Sequence, residues 1–531
     1  MADWQIIFGM VLAYIVLVLV VGLGPWTRVA RVQIEDYFKV SAGVGFLLLY
    51  LGVAGGYHTS FAIPGSMGFY YGHGVGFVVN IIWTVGTPVA LIYLLCTRIH
   101  ILGKAYNYLT PSDLLTDYYG DGKPAPGLRA FFAIFLLLFN LAYLVANITG
   151  PAVLLSFGTG GNVPYELAAS MMILTSGIYV MRGGMRGVLW TTVFQAIWMF
   201  AALWFAGFWA LSLIGGTDAL VRGDLFKGIM DQDPKLWTVP GARNWLGYAM
   251  WATWPIFGIA IGWSLQPRSW LFAYSARDLK TFKKMALTMA IYLCAIYIPA
   301  MIIGFVSRIY VPGLQGAAAD NSFPMLLAQY APVWFTGIII AGAMAAGMST
   351  LDSDFNANGA MLTKDVYRSF FRPRESEAHY LWVGRIFVLA VALLCLVLSF
   401  QRWALVTMIV TLSNSGVAML LPAVIGALVP MKRFQFTAAG VVVGTTAGAL
   451  VVAATTFGWL GLPVNPYGFH AGFWGMLVNF ALAIPISLAT KAPSAETRRR
   501  FHGLLEVALY QKKAESVSPL APQPRPGVQA G

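Results

Sequence analysis

Charge is scarce in this chain, and the scarcity decides its class. Only 10% of the 531 residues are charged, against 58% hydrophobic residues, and the mean hydropathy is +0.71. A soluble domain of this size cannot hide so much apolar surface, so the sequence describes an all-α polytopic protein of the lipid bilayer. Cysteine is almost missing. Cys96, Cys294 and Cys395 are the three, all inside apolar segments and without metal spacing, which leaves neither a disulfide scaffold nor a redox motif. The apolar segments also lack a metal-spaced His pair and a nucleophile–base pair, so an enzyme is not expected. Acid is the rarer charge. The resulting formal +13 would suit nucleic acid, but Lys and Arg lie between apolar spans rather than on one basic face, so no nucleic-acid partner is expected.

About 13 apolar spans of roughly 20 residues or more emerge. They lie near 4–24, 43–70, 75–97, 128–156, 165–181, 187–214, 246–274, 284–308, 332–362, 381–400, 403–430, 436–459 and 469–490. The first is too long for a cleaved signal peptide and lacks its basic leader, so it reads as a retained span. Putting the N-terminus outside gathers all but six of the 34 cationic side chains on the inner face, Arg268 among them; the six are Arg222, Lys227, Lys235, Arg243, Arg308 and Arg402. The positive-inside rule therefore predicts N-out, C-in in a cell inner (plasma) membrane. Residues 98–127 form an internal connector, and 312–331 an external loop with a short helix. From 491 the chain turns charged and then Pro-rich, with an expected disordered end.

Two spans are interrupted. The stretch near 43–70 carries Gly52, Gly55, Gly56, Pro64 and Gly65, and the one near 246–274 carries Pro255, Gly258, Gly262 and Pro267. Each opens a set of five helices, so a five-plus-five inverted repeat with its binding site at two broken helices is expected. Ordinary kinks in a helix bundle are the plainer account. The predicted organisation is a peripheral first helix and loop (1–41), a first repeat (42–215), an external loop (216–245), a second repeat (246–430), two peripheral helices (431–490) and an inner tail (491–531).

Residues 331–372 hold the densest polar signal: an apolar, small-residue helix followed by Ser349, Thr350, Asp352, Ser353, Asp354, Asn356 and Asn358. Ala346, Ser349, Thr350 and Ser353 share one helical face. Such a stripe is costly in a membrane unless it meets protein, water or an ion, and hydroxyls beside a small residue suit a dehydrated hard cation. Hydroxyls bonded back onto their own helix are the alternative.

The run MSTLDSDFNANGAMLTKDVY resembles the most diagnostic helix of the sodium:solute symporter family. There a small residue and a Ser/Thr pair help bind sodium and a Thr-x-Asp-x-Tyr motif closes the helix, matching Ala346, Ser349 and Thr350, then Thr363, Asp365 and Tyr367. The resemblance implies a sodium site completed by the Gly52 and Gly55 carbonyls. A second run, GGMRGVLWTTVFQ, is similar to another family signature through Gly183, Gly184, Trp190, Thr191 and Gln195. It departs at Thr192, where the family usually has Asp. In members with a second sodium that acid acts with hydroxyls at the positions of Asp352 and Ser353. The carboxylate is therefore read as having moved to Asp352, as cation ligand or proton carrier; otherwise Asp352 simply sits at a wet helix end.

Beyond the first break, Tyr57, His58, Thr59 and Ser60 are expected in the central cavity, with His58 and Thr59 matching substrate-contacting positions of sugar-transporting relatives. Trp251, Trp254, Phe257 and Gln266 are candidates from the second broken span, Ser413 and Asn414 from the eleventh, and Tyr143 and Asn147 from the fourth. A membrane His is also a common packed residue, and aromatics are usually core. The runs at 57–77 and 106–120 look closest to the family's monocarboxylate-permease branch. No arginine within a span offers itself to a carboxylate, so an anion would meet a half-helix N-terminus, the cation or His58. The expected function is sodium-coupled symport of a small organic solute, a short monocarboxylate or small amino acid, with Na+ as coupling ion and a monomeric transport unit. Proton coupling on the same fold and a transporter-like sensor domain are the competing readings.

Overall fold

The computed structural model describes residues 2–63, 65–240, 247–401 and 406–510. Pro64, Arg243, Arg402 and the expected disordered end lie outside the described residues. Among those described the protein is helical, with no strand. The long helices are α1 (Asp3–Leu23), α2 (Phe46–Tyr57), α3 (Gly65–His73), α4 (Val75–Tyr106), α5 (Pro111–Tyr119), α6 (Pro126–Gly158), α7 (Tyr165–Leu213) and α8 (residues 248–265). After them come α9 (Pro267–Ser275), α10 (Lys280–Tyr310), α11 (Val333–Phe371), α12 (Glu377–Ser399), α13 (Val406–Ala418), α14 (Leu421–Leu428), α15 (Ala438–Phe457) and α16 (Ala471–Ala489). Nine of these described helices (α1, α4, α6, α7, α10, α11, α12, α15 and α16) are long and apolar enough to cross a membrane. Their outer faces present residues such as Leu17, Val20, Ile82, Ile291 and Leu450.

Two expected spans, near 165–181 and 187–214, are joined in α7. They are two helices: at Gly184 (φ 53°, ψ −142°) the chain leaves the helical region and folds back, so that Tyr179 Oη lies 3.3 Å from the Gln195 amide 16 positions further on. Only glycine adopts those angles readily, and a Cβ there would lie 2.3 Å from the Tyr37 carbonyl.

Both expected breaks are present. α2 ends at Tyr57, His58 is extended (φ −84°, ψ 118°), and a 3-10 turn Ser60–Ala62 precedes α3. The second break is at Gln266 (φ −55°, ψ 144°), directly before Pro267 at the first position of α9. Proline explains it: its ring drives the preceding residue out of the helical region, and its missing N–H is harmless in a first turn. Pro255 and Gly258 instead lie in a π-helical stretch, Trp254–Ala260, a wider winding of the kind found at functional positions. One end of the bundle carries the basic connectors. There the approaches to the two broken helices are tied: Val44 N donates to Ser275 O (2.7 Å) and Arg277 N to Val44 O (3.0 Å).

Helix α11 runs through the middle and is buried along most of its length. Its small residues allow this. A methyl at Gly342 would lie 2.7 Å from the Ala202 side chain of α7, and one at Gly347 2.7 Å from the Asn147 carbonyl of α6. Close backbone approach is what membrane helices gain from small interfacial residues.

Candidate functional site

The polar stripe of α11 meets the open end of α2. Ser349 Oγ donates to the carbonyls of Gly55 (2.9 Å) and Ala346 (3.0 Å). Thr350 Oγ1 donates to those of His58 (2.8 Å) and Gly56 (3.3 Å). Breaking α2 leaves its last carbonyls short of intrahelical partners, Gly55 O keeping only a cap bond from His58 N (3.2 Å), and the two hydroxyls reach them from the neighbouring helix. Four of the five expected sodium ligands (Gly55, Ala346, Ser349 and Thr350) are thus together, while Gly52 lies one turn further along α2, against Leu189. The Gly56 and His58 carbonyls join the cluster; the sequence had marked Gly56 only as a helix breaker and His58 only for its side chain. Six oxygens lie there in two buried sets, one about each hydroxyl, a donor type that suits a hard monovalent cation once the hydroxyl hydrogens turn away.

Asp352, one turn on, is not at a wet helix end: it is 0% exposed. Its carboxylate faces α7, accepting from Tyr179 Oη and from Thr191 Oγ1 (3.1 Å). The Gln195 amide, with its nitrogen toward the acid, is a third donor at 3.2 Å. Thr192 packs against Gly55 and its own hydroxyl has no partner. The side chain of Ser353 turns to the Ser349 carbonyl (3.2 Å), beside Gly56. Trp190 is on the outer surface.

The centre holds a residue that sequence reasoning put elsewhere. Arg268 is not a loop cation; it is 1% exposed, in the first turn of α9. The reason is the break at Gln266: α9 restarts inside the bundle, so its first residues are core. Arg268 Nη1 donates to Asp354 Oδ2 of α11 at 2.5 Å and Nη2 to Tyr143 Oη of α6 at 3.1 Å. The guanidinium lies over the rings of Tyr143 (4.7 Å) and Tyr57 (5.8 Å). An arginine does therefore lie within the bundle, where none was expected, and the carboxylate it meets there is that of Asp354. A Gln-Pro-Arg run closing a glycine-broken span was the available signal.

Around this pair, Tyr57 Oη and Ser269 Oγ are bonded at 2.8 Å. Gln266 accepts from Asn140 Nδ2 (2.9 Å) and donates to Asn414 Oδ1 (3.1 Å). Asn358 donates to Asn140 at 2.6 Å, completing a buried chain from α11 to α13. Ser413 bonds to the Phe139 carbonyl. Ser60 N donates to Asn147 Oδ1 (3.1 Å), and Thr59 caps the 3-10 turn by accepting from Phe61 N. His58 is buried with no partner on either ring nitrogen, beside Tyr292 and Tyr297. On the side of the breaks away from the basic end, Trp254 packs with Phe61, Phe69 and Phe77. Trp251 bonds to the Gly76 carbonyl, and Phe257 turns outward to Phe473 of α16. Tyr57, Tyr143, Gln266 and Asn414 thus share the centre; Phe257 and Trp251 do not.

The Thr-x-Asp-x-Tyr motif anchors the basic end. Asp365 accepts from Arg129 (2.7 Å) and Thr110 Oγ1 (3.0 Å), and Arg129 also bonds Asp113 (2.8 Å). Lys364 reaches Asp113 at 2.8 Å, and Tyr367 bonds His379 at 2.9 Å. Burial alone would raise the Asp113 carboxyl, but Lys364 and Arg129 hold it below the usual carboxylate range. Nearby, burial pulls the Lys39 ammonium down to about 8, although it donates to Asn107 Oδ1 and the Tyr108 carbonyl.

A helical membrane bundle with two broken helices, oxygens gathered at one break and a charged pair at the other has the makings of a transporter. The chain belongs to the sodium:solute symporter family, which it matches over residues 37–484. It is 26% identical to an uncharacterized symporter, YhjB, of Bacillus subtilis over 92% of this chain and 98% of that one. It is 29% identical to a sodium/proline symporter of Escherichia coli over 74% and 76% of the two chains. The fold is that of a Na+-coupled sialic acid symporter solved in a substrate-bound, outward-open state: TM-score 0.72 at 16% identity, covering 92% of this chain and 99% of that one. The protein is therefore a multi-pass plasma-membrane transporter, not an enzyme.

Proposed function

We propose that this protein couples inward sodium flow to uptake of a small organic solute by alternating access, with a short monocarboxylate or small amino acid as cargo. The observation that carries the reading is the meeting of the Ser349 and Thr350 hydroxyls with the carbonyls at the end of α2. Sodium at that junction would join α2 to α11, so that binding the ion favours one relation between the broken helix and the central one. In this reading the α2–α3 and α8–α9 breaks are equivalent points of two inverted five-helix repeats, with 13 spans, the N-terminus outside and the basic end in the cytoplasm. Each chain is a complete transport unit. The aromatic cluster around Trp254 would then close the outer path to the solute and the Arg268 layer the inner one.

Asp352 supports a second reading, proton coupling. It brings a buried carboxylate to the helix where the family's acid is replaced by Thr192, and either a second cation or a proton would satisfy it. Uptake into proteoliposomes decides. A labelled panel of pyruvate, lactate, acetate, alanine, proline and a sugar is offered under an imposed sodium or proton gradient. Accumulation that needs sodium and disappears in Ser349→Ala supports the first reading. Accumulation that follows the proton gradient and disappears in Asp352→Asn replaces it with the second.

A further inference from the structure

Arg268 is the only arginine buried among the described residues. It is also incompletely used. Nη1 is committed to Asp354 and Nη2 to Tyr143, while Nε has no acceptor. A buried guanidinium N–H without a partner is costly, and retaining one calls for a ligand that arrives later. The surroundings narrow the ligand. The rings of Tyr57 and Tyr143 flank the guanidinium, so in-plane bonding at its edge is the remaining way to engage it, the geometry in which arginine grips carboxylates. Asp354 already neutralises the charge, so the pair is stable without cargo yet does not repel an anion as a lone carboxylate would. Two neighbours of Arg268, Tyr57 and Ser269, also line a void of about 10 Å³, the room of a single water.

We propose that Arg268 is the anchor for a carboxylate on the transported solute, received at its Nε edge. This deepens the transport reading above and rests on it. Because α2, α6, α9 and α11 all contribute to the Arg268 cluster, a solute held there touches both broken helices and the central helix that carries the cation position.

The test is ligand protection of the purified, full-length protein. Melting temperature is measured in sodium with propionate, lactate, pyruvate or proline, and with propionamide, lactamide or prolinamide. At least one acid is expected to raise the melting temperature, at concentrations at least 100-fold below those at which its amide does so. In Arg268→Gln that preference should fall to within a few-fold, while sodium alone still protects. Arg268→Lys, which keeps charge but not the fork, should fall between. No acid protecting, an amide matching its acid, or an undiminished preference in Arg268→Gln overturns the proposal. If Arg268→Gln does not fold, the wild-type comparison of acid with amide still decides. Failure of the sodium reading shows separately, as protection by acids that is indifferent to sodium.

Discussion

Replacing Ser349 with alanine isolates the cation position. The hydroxyl contributes one of the six oxygens and bonds to two buried carbonyls, of Gly55 and Ala346. Its loss removes a ligand from the ion and leaves both carbonyls in place, so the change falls on sodium affinity more than on the fold. An oxygen contact to a charged group contributes about 1.5–3 kcal/mol net, and about 1.4 kcal/mol is tenfold in affinity. Half-saturation for sodium should therefore rise by roughly 10- to 100-fold. Ser349→Cys, of similar size but a poor ligand for a hard cation, should resemble alanine; Ser349→Thr should keep most of the affinity. The assay is the sodium dependence of uptake in proteoliposomes, with the sodium-induced rise in melting temperature as a reading that needs no solute. A sodium curve that does not move, in protein that still transports, would refute the assignment. Gly52→Ala should do less, because neither hydroxyl uses that carbonyl.

Asp352→Asn should change ion stoichiometry or the pH dependence of uptake, since it removes the buried acid held by Tyr179 and Thr191; a flux ratio and pH profile identical to wild type would leave Asp352 a structural residue. Gly262→Ala would set a methyl 1.8 Å from the Asn414 carbonyl, and overpacking of this kind costs about 1–3 kcal/mol or more; a wild-type yield and melting temperature would contradict the α8–α13 crossing. Asp320, outside the membrane-spanning helices, has its carboxyl raised to about 6 by burial. The folded protein thus resists its ionisation, and stability should fall as pH rises from about 4 to about 6, by on the order of 3 kcal/mol from this group. Asp320→Asn should relieve the loss at pH 7 and not at pH 4, which melting curves at the two pH values check.

The membrane class, the interrupted spans and the stripe on α11 were all legible, because each rests on a local rule. Apolar runs must cross lipid, proline breaks a helix, and hydroxyls at helical spacing share a face. Ser349 and Thr350 were found that way, and so was the break before Pro267. What escaped depends on which helices become neighbours. Arg268 looks like a loop cation when its charge is counted against the positive-inside rule, and only the break at Gln266, seen in three dimensions, turns it inward to Asp354. Phe257 looks like a cavity residue by its place in the broken span, yet its ring packs on Phe473 of α16, a helix more than 200 positions away in the chain. Asp352 was noticed, but its burial against Tyr179 follows from α7 crossing α11, which no spacing encodes.

The neutrality of the Arg268–Asp354 pair has an electrical consequence. Since the two charges cancel within 2.5 Å, the pair carries no current of its own when the protein reorients, and the membrane voltage acts on the cargo instead. One sodium travelling with one monocarboxylate is then blind to voltage at this centre, driven only by the concentration of each. A second sodium, or a zwitterion in place of the anion, leaves one charge uncompensated, worth about 2.3 kcal/mol for every 100 mV. The choice of solute at Arg268 is therefore also a choice of whether uptake draws on the membrane potential.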